Sequence, residues 1–213
     1  MARSQLVPVL TGCVVALAGC AANAPSASDP PPVSPSLLAQ ALAMTRPLGV
    51  GPMFRPVALG NRLTAAGAPI DGSHCARQAG PAYGAHIELF ARDHEVLVPA
   101  GIGIAAPQSR RGAFVLGGRC RYPLHTTDPT GVVRVARTGH GPAPTVGQLF
   151  RLWGQPLSRH RLAGFRGRVN AFVGGRPWSG DPRNIPLTRH AQIVLELGPA
   201  VKPHPFYVFP SGL

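Results

Sequence analysis

The sequence predicts an α+β fold that is mainly β, built from antiparallel hairpins with one short packed helix. Three observations carry this. The 213 residues include 26 glycines and 25 prolines, about twice the ~12% of an average protein, and both residues break helix interiors. Within residues 71–213 one stretch, residues 146–153, places apolar side chains at helical spacing. The other apolar runs are short, partly β-branched, and bounded by Gly, Pro or Asp. Composition thus excludes a coiled coil, an all-α bundle and a polytopic membrane protein.

The elements follow in order. His86–Phe90 reads as a strand, Arg92-Asp93-His94 as its turn and Glu95–Val98 as its return. Pro99–Ile104 is an apolar, glycine-containing exit. Gly131–Val135 is a further strand. Thr145 is suited to cap a helix over Val146–Trp153, which Gly154 stops. Val169–Val173, Gly174-Gly175 and Arg176–Trp178 form a second hairpin, because paired glycines supply the positive φ of a tight turn. Gln192–Leu197 is the last strong strand. Phe206–Phe209 is read as a short edge piece, limited by Pro205 and Pro210. The hairpins of residues 86–103 and 169–187 hint at internal repetition.

The N-terminus bears on location. Arg3 precedes a short apolar stretch from Leu6 to Ala18, the pattern of an export signal. It is too short for a comfortable membrane span, which takes ~20 apolar residues. It ends in Leu17-Ala18-Gly19-Cys20, which resembles the lipobox of bacterial lipoproteins. The resemblance implies a signal peptide over 1–19 and a lipidated, palmitate-bearing Cys20. Ala21 follows, rather than the Asp that retains such proteins at the inner membrane, so the expected place is the cell envelope, at the outer membrane in a Gram-negative cell. Residues 20–70 read as a tether and a partly ordered approach. They are rich in Ala, Pro and Ser up to about residue 36, with a short helix expected over Ser36–Met44. Residues 71–213 form the expected globular domain.

Lys and Arg total 21 against 8 Asp and Glu, a formal +13, and Lys202 is the sole lysine. Arginine dominance with abundant Ala, Gly and Pro reflects in part a high-GC coding bias. The physical consequence is a basic surface that attracts anionic lipids, polyanions or acidic partners. Arg110-Arg111, Arg119/Arg121 and Arg159/Arg161 come nearest to clusters, and no longer run points to a specific nucleic-acid site. Aromatic residues make up 6%, few for a protein that stacks on bases or sugars.

Of the four cysteines, Cys13 lies in the signal and Cys20 at the lipobox. Cys75 and Cys120 remain, and in an oxidising compartment a disulfide between them is expected. The competing reading makes Cys75 a nucleophile activated by His74. Ser73-His74-Cys75 resembles the L,D-transpeptidase signature but lacks the glycine between His and Cys. No G-x-S-x-G is present, and Gly101-Ile102-Gly103 lacks the third glycine of a dinucleotide loop. His86, His125 and Asp128 are candidate ligands, two imidazoles and a carboxylate that suit copper or zinc.

A longer pattern joins several of these residues. Ala85-His86-Ile87, Val98–Ile104, Leu124–Val133 and Thr145–Phe150 occur in this order, followed by Trp153-Gly154, Gly180-Asp181-Pro182, Ile185-Pro186-Leu187 and Phe209–Leu213. Together they resemble an uncharacterised group of bacterial secreted or membrane-anchored proteins with the motifs HxHAHL, PAGIGI and LHTHDxSGVIH. The resemblance covers residues 71–213 and implies no activity. The chain departs from the pattern at its histidines: Gly84, Thr127 and Arg134 stand where the group has His. Three or four protein ligands are usual for a transition metal, so a metal site inherited from the group would be degenerate here. The resulting expectation is a lipid-anchored envelope protein without enzymatic activity, a binding or structural module for an anionic envelope component or an envelope protein. The alternative is a copper- or zinc-binding protein. Replacing Cys20 by Ser is expected to abolish palmitate labelling and to release the protein from membranes. Labelling that persists in Cys20→Ser would refute lipidation at this residue.

Overall fold

The computed structural model describes residues 68–213, apart from 78–79, 93 and 137–140. The helix expected over Ser36–Met44, the tether and the lipobox lie outside the described residues. The fold is mainly β, with a single short α-helix among the described residues.

Its centre is β1 (Ala82–Ala91), which is longer than the 86–90 strand expected. On one side β1 pairs in parallel with β12 (Gln192–Leu197), His86 opposite Gln192. On the other it pairs antiparallel with β6 (Val132–Ala136), His86 opposite Val132. β5 (Leu124–His125) extends the sheet beyond β6. β10 (Val169–Val173) and β11 (Arg176–Pro177) extend it beyond β12. The 169–178 hairpin forms as expected. The 86–98 hairpin is slight: β2 (His94–Glu95) adds two residues against the end of β1. The strand actually parallel to β1 comes a hundred residues later, so the sheet is mixed rather than wholly antiparallel.

Alternation along β1 separates two faces. Ala85, Ile87, Leu89 and Ala91 point into the main core with Val133 and Val135 of β6 and Ile193, Leu195 and Leu197 of β12. The helix α1 (Val146–Trp153) covers this face with Leu149, Phe150 and Trp153. It forms where its caps demand: the Thr145 hydroxyl accepts from Gln148 N, the Gln148 side chain accepts from Thr145 N, and Gly154 closes the end in the left-handed region. Leu157 of β7 (Leu157–Ser158) and Leu162 of β8 (Arg161–Leu162) add to the core, and β9 (Phe165–Arg166) completes that three-stranded sheet. A smaller hairpin, β3 (Ser109–Arg111) and β4 (Phe114–Gly117), sits on a satellite cluster of Ala100, Ile104 and Val115.

The Pro99–Ile104 motif is tied to this architecture through Gly103. Its φ of +69° suits glycine, and a Cβ there would lie 1.9 Å from the Leu124 carbonyl oxygen. The backbone of residues 103–104 therefore packs directly on the strand that leads to His125.

Residues 199–213 cross the other face of the sheet and form no strand, contrary to the edge piece expected over 206–209. Four prolines in this segment (Pro199, Pro203, Pro205 and Pro210) remove backbone donors that a strand would need. Side chains hold it instead, as described below.

Cys75 and Cys120 are disulfide-bonded, with Cα atoms 5.5 Å apart across 45 residues. The bond ties the segment before β1 to the loop before β5, next to the paired backbones of Ala76 and Arg121. Cys75 therefore offers no thiolate. Constraining a loop of this length stabilises by about 4 kcal/mol in the chain-entropy account. The double variant Cys75→Ser/Cys120→Ser is expected to lose stability of that order in urea unfolding. A midpoint equal to the parent's would refute it.

Candidate functional site

The second face of the sheet carries polar side chains, which is unusual for central strands. His86, Glu88, Gln192 and Glu196 alternate out from β1 and β12 on the side away from the main core, and His86, Gln192 and Glu196 are buried. Burial without partners would be costly. The C-terminal segment supplies partners. The Tyr207 ring stacks on His86 with centroids 3.7 Å apart. His204 Nδ1 donates to both Glu88 carboxylate oxygens, at 2.8 and 2.9 Å. The His190 ring stacks on Phe209, and His190 Nε2 donates to the Leu213 carbonyl.

The protonation of His86 follows from its neighbours. Its Nε2 lies 2.7 Å from the Thr130 carbonyl oxygen, which only accepts, so Nε2 bears hydrogen. Burial holds the His86 pKa below the usual value, although Glu88 opposes this. Nδ1 lies 2.7 Å from the Gln192 side-chain amide.

His204 behaves oppositely. Its hydrogen bond to Glu88 raises its pKa, against the effect of burial. Its contribution is complete below the ordinary histidine pKa and fades as pH rises through the elevated value. Burial raises the Glu95 and Glu196 carboxyl pKa values, and Glu88 adds repulsion at Glu95.

The three candidate ligands are engaged separately. His86 is held as just described. His125 is buried and donates from Nδ1 to the Tyr122 carbonyl at 3.2 Å. Asp128 accepts from Thr130 N at 3.2 Å, from the Thr130 hydroxyl and from the Thr127 hydroxyl, closing its own turn. Among the described residues no group of three or more His, Cys, Asp or Glu gathers as a metal site. The positions that depart from the His motifs are nonetheless neighbours. Arg134 stands opposite both Gly84 and His125 in the register, and its Nε donates to the Thr127 hydroxyl at 3.3 Å. Gly84 is where Phe209 packs: a Cβ there would meet its ring at 2.6 Å.

A separate cleft of about 600 Å³ opens beside the 169–177 hairpin. Arg159 and His160, at the β7–β8 turn, and Arg168 form its basic side, while Phe172 and Trp178 line it with apolar surface. No acidic residue lines it. The Trp178 loop is braced by Trp178 Nε1 donating to the Asp181 carbonyl at 3.2 Å and by Asp181 pairing with Arg183 at 2.7 Å. The Arg183 hydrogen bond holds the Asp181 carboxyl below its ordinary pKa. Sequence reading noted Arg159/Arg161 as a near cluster, but Arg168 and Trp178 join Arg159 only through tertiary structure. Glu88, Gln192 and Glu196 had a legible signal, polar residues inside apolar strands. Their partners His204 and Tyr207 had none.

The neutral, buried His125 makes a pH prediction. Burial lowers its pKa to about 4. Below pH ~6.5 the unfolded chain takes up the proton first, so stability is full above that pH and falls as pH drops toward 4. The loss is about 3 kcal/mol. His125→Gln is expected to show a shallower decline between pH 7 and 4 in urea titrations; an unchanged decline would refute the assignment. Comparison with protein families, curated proteins and solved structures finds no match to this chain.

Proposed function

We propose that the chain is a lipoprotein of the bacterial cell envelope, anchored through Cys20, whose domain is a non-enzymatic module that binds an anionic envelope component. It would share this envelope setting with the secreted and membrane-anchored group its motifs resemble. The observation that supports binding is the cleft of Arg159, His160 and Arg168 facing Phe172 and Trp178. Its volume falls in the range of ligand sites, ~300–1,000 Å³. Guanidinium groups present fixed donors that match carboxylate and phosphate oxygens, and an aromatic wall shields those contacts from water. The ligand class is therefore a polymer bearing carboxylate or phosphate groups, gripped by charge with limited ring contact.

The polar face under residues 199–213 is less open to a ligand, because His86 and Glu88 are engaged by Thr130, Gln192, Tyr207 and His204 and lie beneath that segment. The full chain is expected to bind oligogalacturonate, an anionic probe, in a salt-dependent manner, and to ignore neutral dextran. Arg159→Glu/Arg168→Glu should weaken oligogalacturonate binding at least about tenfold. Both arginines are exposed, so the domain should stay folded. Equal binding by parent and variant in isothermal titration would overturn the reading.

A further inference from the structure

The β3–β4 hairpin breaks the usual rule of strand alternation. Val115 points inward to Ala100 and Ile104, so residues 114 and 116 face outward, where polar side chains are expected. They are Phe114 and Leu116, exposed by 54% and 57%, the large apolar side chains that stand exposed among the described residues. Arg111, opposite Phe114 in the register, is exposed beside this outward face; Arg110, opposite Val115, and Arg119, just after β4, are exposed on the same small unit. Among the described residues no carboxylate pairs with any of them.

The hairpin is firmly rooted. Val115 N donates to the Thr127 carbonyl at 2.8 Å. Gln108 Nε2 donates to the carbonyls of Gly101 and Ile104, at 3.0 and 2.8 Å. Arg121 Nη2 donates to the Leu116 carbonyl at 2.6 Å. The outward pair is thus held out by structure, with Gly112 at positive φ closing the turn beneath it.

We propose that this hairpin is a membrane-contact element that seats on a bilayer rich in anionic phospholipid, with Phe114 and Leu116 in the headgroup region and the arginines on the lipid phosphates. Two apolar side chains are too few for a stable protein interface, which takes ~20–30 residues a side. They suffice as a wedge beside basic residues, since interfacial binding combines buried apolar area with attraction to anionic lipid. Each basic side chain near such a surface strengthens binding roughly fivefold. The element is independent of Cys20 and of the cleft. It would hold the domain against the membrane instead of leaving it at the end of a tether.

The test uses the full chain with Cys20→Ser, so that no acyl chain contributes, and Phe114→Trp as a local reporter read against the same chain with Phe114. The apolar stretch Leu6–Ala18 can also reach lipid, which is why the readout is at the hairpin. With vesicles of phosphatidylcholine and phosphatidylglycerol, the added tryptophan is expected to shift to the blue and to be quenched by brominated acyl chains. Vesicles of phosphatidylcholine alone should produce neither change. Arg111→Glu/Arg119→Glu in this background should raise the lipid concentration for half-maximal shift at least tenfold, and Leu116→Ser severalfold. A tryptophan at 114 that stays in water while the chain sediments with vesicles would overturn the proposal and leave a protein as the partner of this face. So would a response indifferent to lipid charge or to the arginine reversals.

Discussion

The burial of β1 on both faces is the constraint from which the rest of the structure follows. A strand with neighbours on both edges and cover on both sides has no solvated surface, so each side chain must find a partner of matching chemistry. On one face the solution is ordinary: Ala85, Ile87 and Leu89 pack against α1 and the neighbouring strands. On the other, β1 presents Gly84, His86 and Glu88. These residues demand a cover that can hydrogen-bond and stack. The segment 199–213 meets that demand with His204, Tyr207 and Phe209, and its prolines keep it from competing for strand hydrogen bonds. Position 84 couples the two, because only a residue without a side chain lets the Phe209 ring approach so closely.

The same constraint explains how the residues at the histidine-motif positions are engaged. Residues 84, 125 and 134 share one row of the sheet, and residue 127 lies within hydrogen-bond reach of 134. Histidines at these positions would face one another. Here an arginine occupies the middle of the row, bonded to a threonine, with a glycine beside it that has yielded its space to Phe209. His125 is left enclosed between Arg121 and Arg134, both of which, after burial, help to depress its pKa. A cationic side chain beside a neutral buried imidazole disfavours a second cation there. His86 belongs to another arrangement, in which Thr130, Gln192 and Tyr207 take both nitrogens and one face of the ring.

What could be read from the sequence was what is decided locally. The helix was legible because its determinants sit within ten residues: Thr145, Gln148 and Gly154 as caps, and apolar residues at a period of 3.6. The 169–178 hairpin was legible because paired glycines leave few alternatives. The parallel pairing of β1 with β12 was not, since no local feature distinguishes a strand that pairs with its neighbour from one that pairs across a hundred residues. The same holds for β3, β5 and β7–β9, whose two or three residues are defined by their partners more than by their own pattern. The buried polar face was half legible: Glu88 and Glu196 interrupt apolar strands visibly, whereas His204 and Tyr207 sit in a proline-rich stretch resembling any exposed tail. The cleft was least legible, since its basic residues come from separate turns.

The charge of the chain takes on a spatial meaning once the acids are located. Glu88 is bound to His204, Asp71 to Arg151, Asp181 to Arg183, and Asp128 to its own turn. Glu196 is enclosed in the sheet. Four of the eight acids are therefore engaged within the fold and a fifth is buried in it. Five exposed arginines form no ion pair among the described residues: Arg110 and Arg111 on the β3–β4 hairpin, Arg119 just after it, and Arg159 and Arg168 beside the cleft. A high-GC coding bias accounts for arginine being common, but not for acids being spent internally while basic groups face outward. The resulting field is positive wherever solvent meets the domain at these two places. Each place adds apolar surface to its arginines, Phe114 and Leu116 at the hairpin and Phe172 and Trp178 at the cleft. Water weakens ion contacts most where nothing excludes it. The pairing of cationic with apolar side chains is thus what sets these two places apart from the rest of a generally basic surface.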